Sequence, residues 1–313
     1  MTKVAFLFPG QGSQKVGMGA ELAALANSNK FFETADRELG FSLSGLMTEG
    51  PQEELTVTYN AQPALLTVGA MIADRLTAAG IQPTYTAGHS LGEYTALYAS
   101  GALSFEDAVK TVHQRGLFMN EAMPAGEGAM AAILGLGLES LTDVTNAITA
   151  EGHLVQPANL NCPGQVVISG TKAGVDEACV RLKEAGAKRA IMLDVSGPFH
   201  SELMRPAAGK LAEVLERIQM NEVQVPVIAN VTANPVTKSD EIKHLLIEQL
   251  FSPVRWEESV RQMLELGVTQ FIECGPGKVL SGLVRKIDRS ATVWPVYDEE
   301  TLNAVIEASK EWS

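Results

Sequence analysis

The sequence has few cysteines and few basic residues, and each shortage excludes a class of protein. Three cysteines occur in 313 residues, at Cys162, Cys179 and Cys274, and their spacing matches no metal-binding motif. We therefore expect reduced thiols, neither disulfides nor a metal site, in a cytoplasmic protein. Lysine and arginine number 24 against 37 aspartate and glutamate residues, a net charge of -13. With no basic run in the chain, a nucleic-acid partner is not expected.

Long hydrophobic runs are also missing. No stretch reaches the roughly 20 apolar residues of a membrane span. The apolar stretch near the N-terminus is too short for a signal peptide and runs into Pro-Gly, as a first strand would. The chain is nevertheless 46% hydrophobic, enough for a sizeable core. A cytoplasmic, globular protein without membrane contact is predicted.

Strand and helix signals alternate over most of the chain. Val4–Phe8 is an apolar run followed by the glycine-rich stretch PGQGSQ. A long apolar segment, Pro63–Ala79, ends at Gly80, as a core helix would. A short strand at Thr84–Ala87 and a helix over Ser104–Ala122 follow. This alternation predicts an α/β fold in which a parallel sheet has helices on both faces.

The middle of the chain has a different order of elements. Between residues 126 and 197 the predicted order is βαββαβ, which is typical of the ferredoxin-like fold. Two of its strands, Leu154–Leu160 and Gln165–Ser169, are joined through the turn sequence NCPG. We therefore predict a small inserted domain at 126–197 and a large domain formed by 1–125 and 198–313.

The segment GHSLG at residues 88–92 fits the G-x-S-x-G pattern of a nucleophile elbow, in which a strand turns sharply into a helix. Glycine is needed on both sides because a Cβ there would clash when the turn presents the serine. The helix start supplies the positive end of its dipole, and the Leu91 N–H is available to an oxyanion. Ser90 is the candidate nucleophile, with a structural turn as the alternative.

A serine nucleophile needs a base, and the chain has five histidines. His89 adjoins Ser90, and neighbours on a sharp turn project apart, so we expect it to make a structural hydrogen bond. His200 lies in SGPFHSELM, between a predicted strand and a predicted helix. Because loops at the carboxyl ends of parallel strands carry the sites of such folds, His200 is the best of the five. The others are assigned to packing or to the surface: His113, His153 and His244.

Six motifs together resemble one family. In chain order they are FPGQGSQ at 8–14, GHSLGEY at 88–94, QRG at 114–116, NLNCPGQ at 159–165, GPFHS at 197–201 and GPGKVL at 275–280. The chain resembles the malonyl-CoA:acyl carrier protein transacylases, the malonyl-loading enzymes of bacterial fatty-acid synthesis, over essentially its whole length. The resemblance implies an α/β-hydrolase-like large domain with an inserted ferredoxin-like domain.

The resemblance also implies a role for each matching residue. Ser90 resembles the nucleophile and His200 the general base and acid, while the backbone N–H groups of Gln11 and Leu91 correspond to the oxyanion hole. Arg115 matches the arginine that holds the malonyl carboxylate, for which a planar guanidinium is well suited. The remaining matches are Phe199 in the malonyl-selective pocket, Gln249 with the main-chain carbonyl that orients the histidine, and Asn159 and Asn161 as a polar pair lining the cleft. Without the family, Arg115 would be interpreted as a surface charge and the asparagines as structural.

Malonyl-CoA and an acyl carrier protein are the partners that the resemblance implies, for a monomeric enzyme without a bound cofactor or metal. A malonyl acyltransferase of a polyketide pathway is the first alternative. The second is a serine thioesterase or hydrolase, which usually has an acidic residue between serine and histidine in the chain. No residue between Ser90 and His200 clearly fits that role. An inactive carrier-protein docking module is disfavoured, because the serine, histidine, arginine and glycine loops are all present.

Overall fold

The computed structural model describes residues 2–25 and 27–312; the first and last residues of the predicted domain ranges, Met1 and Ser313, lie outside the described residues. Its strands are β1 (Val4–Phe8), β2 (Tyr85–Gly88), β3 (Gly128–Leu134), β4 (Val155–Cys162), β5 (Gln165–Thr171), β6 (Arg189–Met192), β7 (Val227–Ile228), β8 (Pro235–Val236), β9 (Gln270–Cys274) and β10 (Thr292–Val296). Its α-helices are α1 (Ala20–Ala24), α2 (Asn29–Leu39), α3 (Leu43–Glu49), α4 (Gln52–Thr56), α5 (Thr58–Ala78), α6 (Gly92–Ala99), α7 (Phe105–Glu121), α8 (Leu138–Ala150), α9 (Lys172–Glu184), α10 (Arg205–Arg217), α11 (Ser239–Gln249), α12 (Trp256–Glu265), α13 (Val279–Ile287) and α14 (Glu299–Ser309). None of the described helices is long and apolar enough to cross a bilayer.

The larger sheet is parallel along five strands, in the order β10-β9-β1-β2-β7, and β8 adds an antiparallel edge. All five residues of β1 are buried, as expected for a parallel strand covered on both faces. Phe8, the last residue of β1, pairs with Gly88, the last residue of β2. The two glycine-rich turns that follow these strands therefore leave the sheet side by side.

Helix α5 is the central helix of the core, and it begins earlier than the sequence predicts. It starts at Thr58, so the predicted start at Pro63 was wrong. A proline inside a helix cannot donate to the carbonyl four residues before it. Here that carbonyl, of Tyr59, lies 2.7 Å from Nδ1 of His113 on α7. With Nδ1 protonated, His113 replaces the hydrogen bond that Pro63 cannot make, and the helix continues through it.

The smaller sheet is antiparallel, in the order β4-β5-β3-β6, and its elements follow one another as β3-α8-β4-β5-α9-β6. One face packs against α8 and α9 through its own apolar cluster, which includes Ile133, Ile168 and Leu182. Residues that point to the opposite face, such as Met130 and Val167, join the main core instead. The predicted α/β class, with a parallel sheet and a separate antiparallel sheet, is confirmed.

A short backbone contact connects the smaller sheet to the rest of the chain. The N–H of Leu160 donates to the carbonyl of Val254 at 2.9 Å, and the N–H of Val254 donates to the carbonyl of Ala158 at 2.8 Å. Val254 lies just before α12, so this contact covers the outer edge of β4. It also places the end of β4 near the carboxyl edge of the larger sheet.

Two strands near the site are short. The strand β7 has only two residues, and Pro226, directly before it, has no N–H to give to a sheet ladder. The strand β6 ends at Met192. The residues that follow, 193–195, line a cavity instead of continuing the strand.

Candidate active site

A cavity of about 300 Å³ lies where the carboxyl edge of the larger sheet meets the smaller sheet. Of the nine residues predicted from the sequence, seven line it: Gln11, Ser90, Leu91, Arg115, Asn159, Phe199 and His200. Asn161 and Gln249 are not in the lining but contact residues that are. The structure therefore brings all nine predicted residues to one place.

The turn after β2 presents Ser90 in a backbone conformation that is rare for a residue with a side chain. Its φ is +53°, in the left-handed region. A Cβ on Gly88 would lie 1.8 Å from the carbonyl carbon of Gly92, and a Cβ on Gly92 would lie 2.0 Å from the carbonyl oxygen of Phe8. Neither position tolerates a side chain, so both glycines are required by the close approach of the turn to β1 and α6.

Ser90 and His200 form a hydrogen-bonded pair. Ser90 Oγ lies 2.7 Å from His200 Nε2, and His200 Nδ1 lies 2.8 Å from the main-chain carbonyl of Gln249. Because a carbonyl only accepts, Nδ1 carries the proton and Nε2 is free to accept from the serine hydroxyl. Burial lowers the pKa of His200 to about 3, with a further contribution from the Arg115 charge. The imidazole is therefore neutral, and able to take a proton, at neutral pH.

Two backbone N–H groups border the cavity beside Ser90. They belong to Leu91, at the start of α6, and to Gln11, in the turn after β1. Among the described residues neither N–H donates to a protein acceptor. The two turns approach closely because residue 10 is glycine, whose Cβ would lie 2.5 Å from the His89 carbonyl oxygen. Unpaired backbone N–H groups beside a nucleophile can stabilise a developing oxyanion.

The side chain of Gln11 fixes the position of the turn that carries it. Gln11 Nε2 donates to the hydroxyl of Thr58, the first residue of α5, at 3.2 Å. The Thr58 hydroxyl also lies 3.0 Å from Ser196 Oγ, on the segment that leads to His200. These two contacts join the turn after β1 to the segment that carries the base.

Arg115 projects from α7 into the cavity wall and is only 1% exposed. Nη1 donates to Gln62 Oε1 at 2.7 Å, and Nη2 donates to Gln249 Oε1 at 2.9 Å and to Ser90 Oγ at 3.1 Å. All three acceptors are neutral; the Glu93 carboxylate acts on the guanidinium only at longer range, and within the described part of the chain no carboxylate accepts a hydrogen bond from it. The alternative of a surface charge was wrong: Arg115 is a buried cation beside the serine, and burial lowers its pKa.

A buried polar layer that sequence reasoning missed lies beneath Ser90. Glu93 Oε2 accepts from the N–H of Asn230 at 3.1 Å and from Nε2 of Gln249 at 2.8 Å. Burial raises the pKa of Glu93 to about 7, against the opposing effects of these hydrogen bonds and of Arg115. One signal was available: Asn230 follows β7, the parallel neighbour of β2, at the carboxyl ends where such folds carry functional residues.

The remaining walls are apolar on one side and polar on the other. Phe199, directly before His200, is buried and faces the cavity together with Met119 and Met130. Asn159 borders the cavity from β4.

On the same strand, Asn161 Oδ1 lies 2.8 Å from His89 Nε2. His89, whose ring also lies near that of Trp256, therefore makes the structural hydrogen bond expected of it and joins β4 to the elbow. Within the described residues no cluster of histidine, cysteine, aspartate or glutamate is arranged to hold a metal ion.

Comparison with known proteins identifies the family. The acyl transferase domain family matches residues 5–305 of the chain. The chain belongs to the acyl transferase family. Among curated acyl transferases, the malonyl CoA-acyl carrier protein transacylase of Bacillus subtilis (strain 168) is 59% identical over 312 residues, which cover 99% of this chain and 98% of that protein.

Solved acyl transferases share the whole architecture. The 1.7 Å crystal structure of an acyl carrier protein S-malonyltransferase from Vibrio cholerae is 47% identical, with a TM-score of 0.95 over 97% of this chain and 100% of that one. A malonyl-transacylase in complex with a type II PKS acyl-carrier protein is 44% identical, with a TM-score of 0.95 over 98% of this chain and 100% of that one. The parallel sheet and the separate antiparallel sheet are thus those of the acyl transferases.

Proposed function

We propose that this chain transfers a malonyl group from malonyl-CoA to the phosphopantetheine thiol of an acyl carrier protein, through an ester on Ser90, and so supplies fatty-acid synthesis. The observation that carries this proposal is the position of Arg115, buried and 3.1 Å from Ser90 Oγ with only neutral acceptors. A guanidinium there favours an acyl group that ends in a carboxylate. The names of relatives at 59% and 47% identity support the same reaction.

The first step acylates Ser90. The serine hydroxyl gives its proton to His200 Nε2 while Oγ attacks the thioester carbonyl. The N–H groups of Gln11 and Leu91 stabilise the negative charge that develops on the carbonyl oxygen. Collapse of the intermediate breaks the carbon–sulfur bond, the coenzyme A thiol leaves with the proton from His200, and malonyl-Ser90 remains.

The second step is the reverse chemistry with a different thiol. The phosphopantetheine thiol gives its proton to His200, and its sulfur attacks the ester carbonyl held by the same two N–H groups. Ser90 Oγ then leaves and recovers a proton from His200. The nucleophile, the base and the two N–H donors used in both steps belong to this chain. The thioester malonyl-CoA takes part as a substrate.

Binding of the malonyl carboxylate also prepares the base. In the free enzyme the charge of Arg115 disfavours a second positive charge on His200 and is one cause of its low pKa. A carboxylate paired with Arg115 offsets that charge, so the imidazolium that forms during each step is less unfavourable. The substrate group that is selected thus contributes to proton transfer as well as to binding.

Phe199 and the two asparagines complete the proposed pocket. The ring of Phe199 would crowd a methyl branch on carbon 2 of the acyl group, which favours malonyl over methylmalonyl. Asn159 would present its amide to the substrate from β4, while Asn161 holds His89. The main-chain carbonyl of Gln249 would orient His200 throughout the reaction.

The finer description of the fold is part of this proposal. An inserted ferredoxin-like domain at 126–197 is supported by the element order from β3 to β6 and by the apolar cluster of its own. An α/β-hydrolase-like domain at 1–125 and 198–313 is supported by the parallel sheet and by the serine turn after β2. A monomer, a cytoplasmic location, and catalysis without a cofactor or metal stay predictions.

Two other functions differ from this one in a defined way. A serine hydrolase would normally have an acidic residue on His200 Nδ1, and here that nitrogen faces a backbone carbonyl. A malonyl acyltransferase of a polyketide pathway is favoured by one observation, the 44% identity to a transacylase solved with a type II PKS carrier protein. Rates with carrier proteins from the two kinds of pathway separate these roles.

Intact-mass analysis after mixing the protein with malonyl-CoA tests the proposal. The expected result is a single malonyl adduct that is absent in Ser90→Ala and is discharged by an acyl carrier protein bearing its phosphopantetheine arm. Absence of an adduct in the unmodified protein contradicts the covalent route. Rapid release of free malonate without the carrier protein indicates a hydrolase.

A further inference from the structure

The Ser90 backbone needs an external support. A residue with a Cβ is disfavoured in the left-handed region, so the conformation persists only where the surroundings enforce it. Gly88 and Gly92 permit the turn, but because glycine adopts many backbone conformations they also permit other conformations of this segment. The groups that bind the turn therefore determine whether Ser90 Oγ stays at His200.

The side chain of Asn230 binds the turn at both ends. Its Oδ1 accepts from the Ser90 N–H at 2.8 Å, and its Nδ2 donates to the Gly88 carbonyl at 2.6 Å. The last backbone pair between β2 and β7 is Ala87 with Ile228, after which β2 turns away from its neighbour. The Asn230 amide thus takes the place of the strand backbone and continues the pairing into the turn.

Asn230 is itself held rigidly. It is fully buried, its N–H donates to Glu93 at 3.1 Å, and its carbonyl accepts from the Arg255 N–H at 3.0 Å. Glu93 also accepts from Gln249, whose main-chain carbonyl binds His200. One buried network therefore joins the support of the nucleophile to the support of the base.

We propose that Asn230 is a positioning residue for the acyl transfer reaction. Its amide holds Ser90 in the left-handed conformation that brings Oγ to His200. By occupying the Ser90 N–H, it also leaves the oxyanion to the N–H groups of Leu91 and Gln11. Asn230 does not line the cavity and does not touch the reacting atoms; it acts through the backbone of Ser90.

The inference rests on the proposed function, and its test uses the same adduct under single-turnover conditions. In Asn230→Ala the turn loses both hydrogen bonds to this side chain and keeps the one from Gln249 Nε2 to the Ser90 carbonyl. We expect the rate of malonyl-Ser90 formation to fall about 10²-fold, as for a misplaced nucleophile. The KM for malonyl-CoA should change less than about threefold, since Arg115 keeps its partners Gln62 and Gln249. The acid limb of the pH–rate profile should not move, because His200 is not altered.

Asn234→Ala is the matched control. Asn234 lies on the same loop, is exposed, and its side chain bonds only to Thr232 among the described residues. It should acylate at the parental rate. Asn230→Asp is a second variant that keeps an acceptor for the Ser90 N–H but loses the donor to Gly88, and it should also acylate slowly.

Three outcomes overturn the inference, and each is distinct from failure of the proposed function. A folded Asn230→Ala that acylates within about twofold of the parental rate shows a structural role only, even if its melting temperature falls. A loss confined to KM places Asn230 in substrate binding instead. If neither Asn230 variant folds, amide hydrogen exchange of the unmodified protein decides: fast exchange at the Ser90 N–H contradicts the support. Absence of an adduct in the unmodified protein would instead contradict the proposed function.

Discussion

Two turns at the same edge of the larger sheet have similar local structure, but the N–H groups at the start of the helix that follows are bonded differently in each. After β2 the chain enters α6, and after β9 it enters α13; each connection contains glycine, and each region holds a buried glutamate. Glu273, in β9, accepts from the N–H groups of Leu280 and Ser281 and from the Ser281 hydroxyl, at 2.6 to 2.9 Å. The first turn of α13 is therefore satisfied by the protein's own carboxylate.

At the start of α6 the N–H groups of residues 92–94 donate to the backbone carbonyls of residues 89–91, and the Leu91 N–H has no acceptor among the described residues. The N-cap, Leu91, makes no side-chain capping bond, and the nearby carboxylate of Glu93 faces inward, towards Asn230 and Gln249. The Glu93 carboxylate thus leaves the Leu91 N–H available to a substrate, whereas the Glu273 carboxylate occupies two N–H groups at the start of α13. The β9 turn is therefore closed by its own carboxylate, whereas the β2 turn keeps one N–H group that can bind an oxyanion.

The largest expected effect comes from removing the base at the β2 turn. His200→Ala should lower kcat for malonyl transfer about 10³-fold, because the Ser90 proton loses its acceptor. The matched control, Glu273→Gln, alters a buried group at the β9 turn and should keep the parental kcat per folded molecule. Steady-state transfer to the carrier protein measures both. If the kcat of His200→Ala stayed within about tenfold of the parental value, His200 would not be the base of this reaction.

The next effect concerns the acyl group. Arg115→Ala should lower kcat/KM for malonyl-CoA about 10²-fold or more, since a carboxylate would lose charge-assisted hydrogen bonds in a buried site. The rate with acetyl-CoA should change little. Lys110→Ala, an exposed change on the same helix, is the control. If the ratio of kcat/KM for malonyl-CoA to that for acetyl-CoA did not change, the proposed binding of the malonyl carboxylate by Arg115 would be contradicted.

The same variant makes a prediction about pH. The Arg115 cation lowers the pKa of His200, so removing it should raise that pKa. An imidazole with a higher pKa is protonated, and inactive as a base, at a higher pH. The acid limb of acetyl transfer should therefore move to higher pH in Arg115→Ala than in the parent. An acid limb that stays in place would show that the two charges are not coupled.

Glu273→Ala tests the structural side of the comparison. Three donors at the start of α13 would lose their partner, and we expect a loss of about 3 kcal/mol in the free energy of unfolding. Denaturant unfolding measures this loss. Transfer activity per folded molecule should be retained. Loss of that activity would contradict a purely structural role for the β9 turn.

The smallest expected effect is a change in the pH dependence of stability in Glu93→Gln. The folded-state pKa of Glu93 is raised from 4.5 to about 7. Between these two pKa values, a rise in pH removes the Glu93 proton from the unfolded chain while the folded chain keeps it. The parent therefore loses the stability that protonated Glu93 contributes. The groups that face Glu93 are the Asn230 N–H, the Gln249 amide and, at longer range, Arg115.

Because the introduced glutamine does not titrate, the stability of Glu93→Gln relative to the parent should rise by roughly 2 kcal/mol between about pH 5 and 7. Unfolding curves at several pH values measure the difference. Glu139→Gln, an exposed change on α8, should show no such trend. A flat difference for Glu93→Gln would mean that Glu93 is ionised across the whole range.

Local patterns predicted the parts of the site that depend on neighbouring residues. The spacing of Gly88 and Gly92 around Ser90 follows from steric limits within one turn, so a single short motif was enough to predict it. His200 was distinguished by its place between a strand and a helix. The role of Arg115 could not be predicted from α7 alone, because a buried and a solvated arginine have the same helical pattern; the family motif supplied it.

Two contacts between distant segments could not be predicted from the sequence. Asn230 meets Ser90 across 140 positions of the chain, and only the pairing of β2 with β7 brings them together. The early start of α5 has the same kind of cause: Pro63 indicates a helix start until His113, 54 positions from Tyr59, supplies the missing donor. In both cases the deciding partner is a polar group whose position depends on the tertiary fold.

Ser90 and His200 share a backbone feature with an evolutionary consequence. Both have positive φ angles, +53° and +59°, and each such conformation costs a residue with a side chain about 1 kcal/mol. Selection for activity therefore maintains backbone strain at both positions. In a lineage released from that selection, we expect Ser90 to be replaced by glycine first, because little more than a hydroxyl group is lost there; at His200, glycine would empty the buried space of the ring. Substitutions intended to raise the melting temperature should therefore be made in surface helices and not near these two residues.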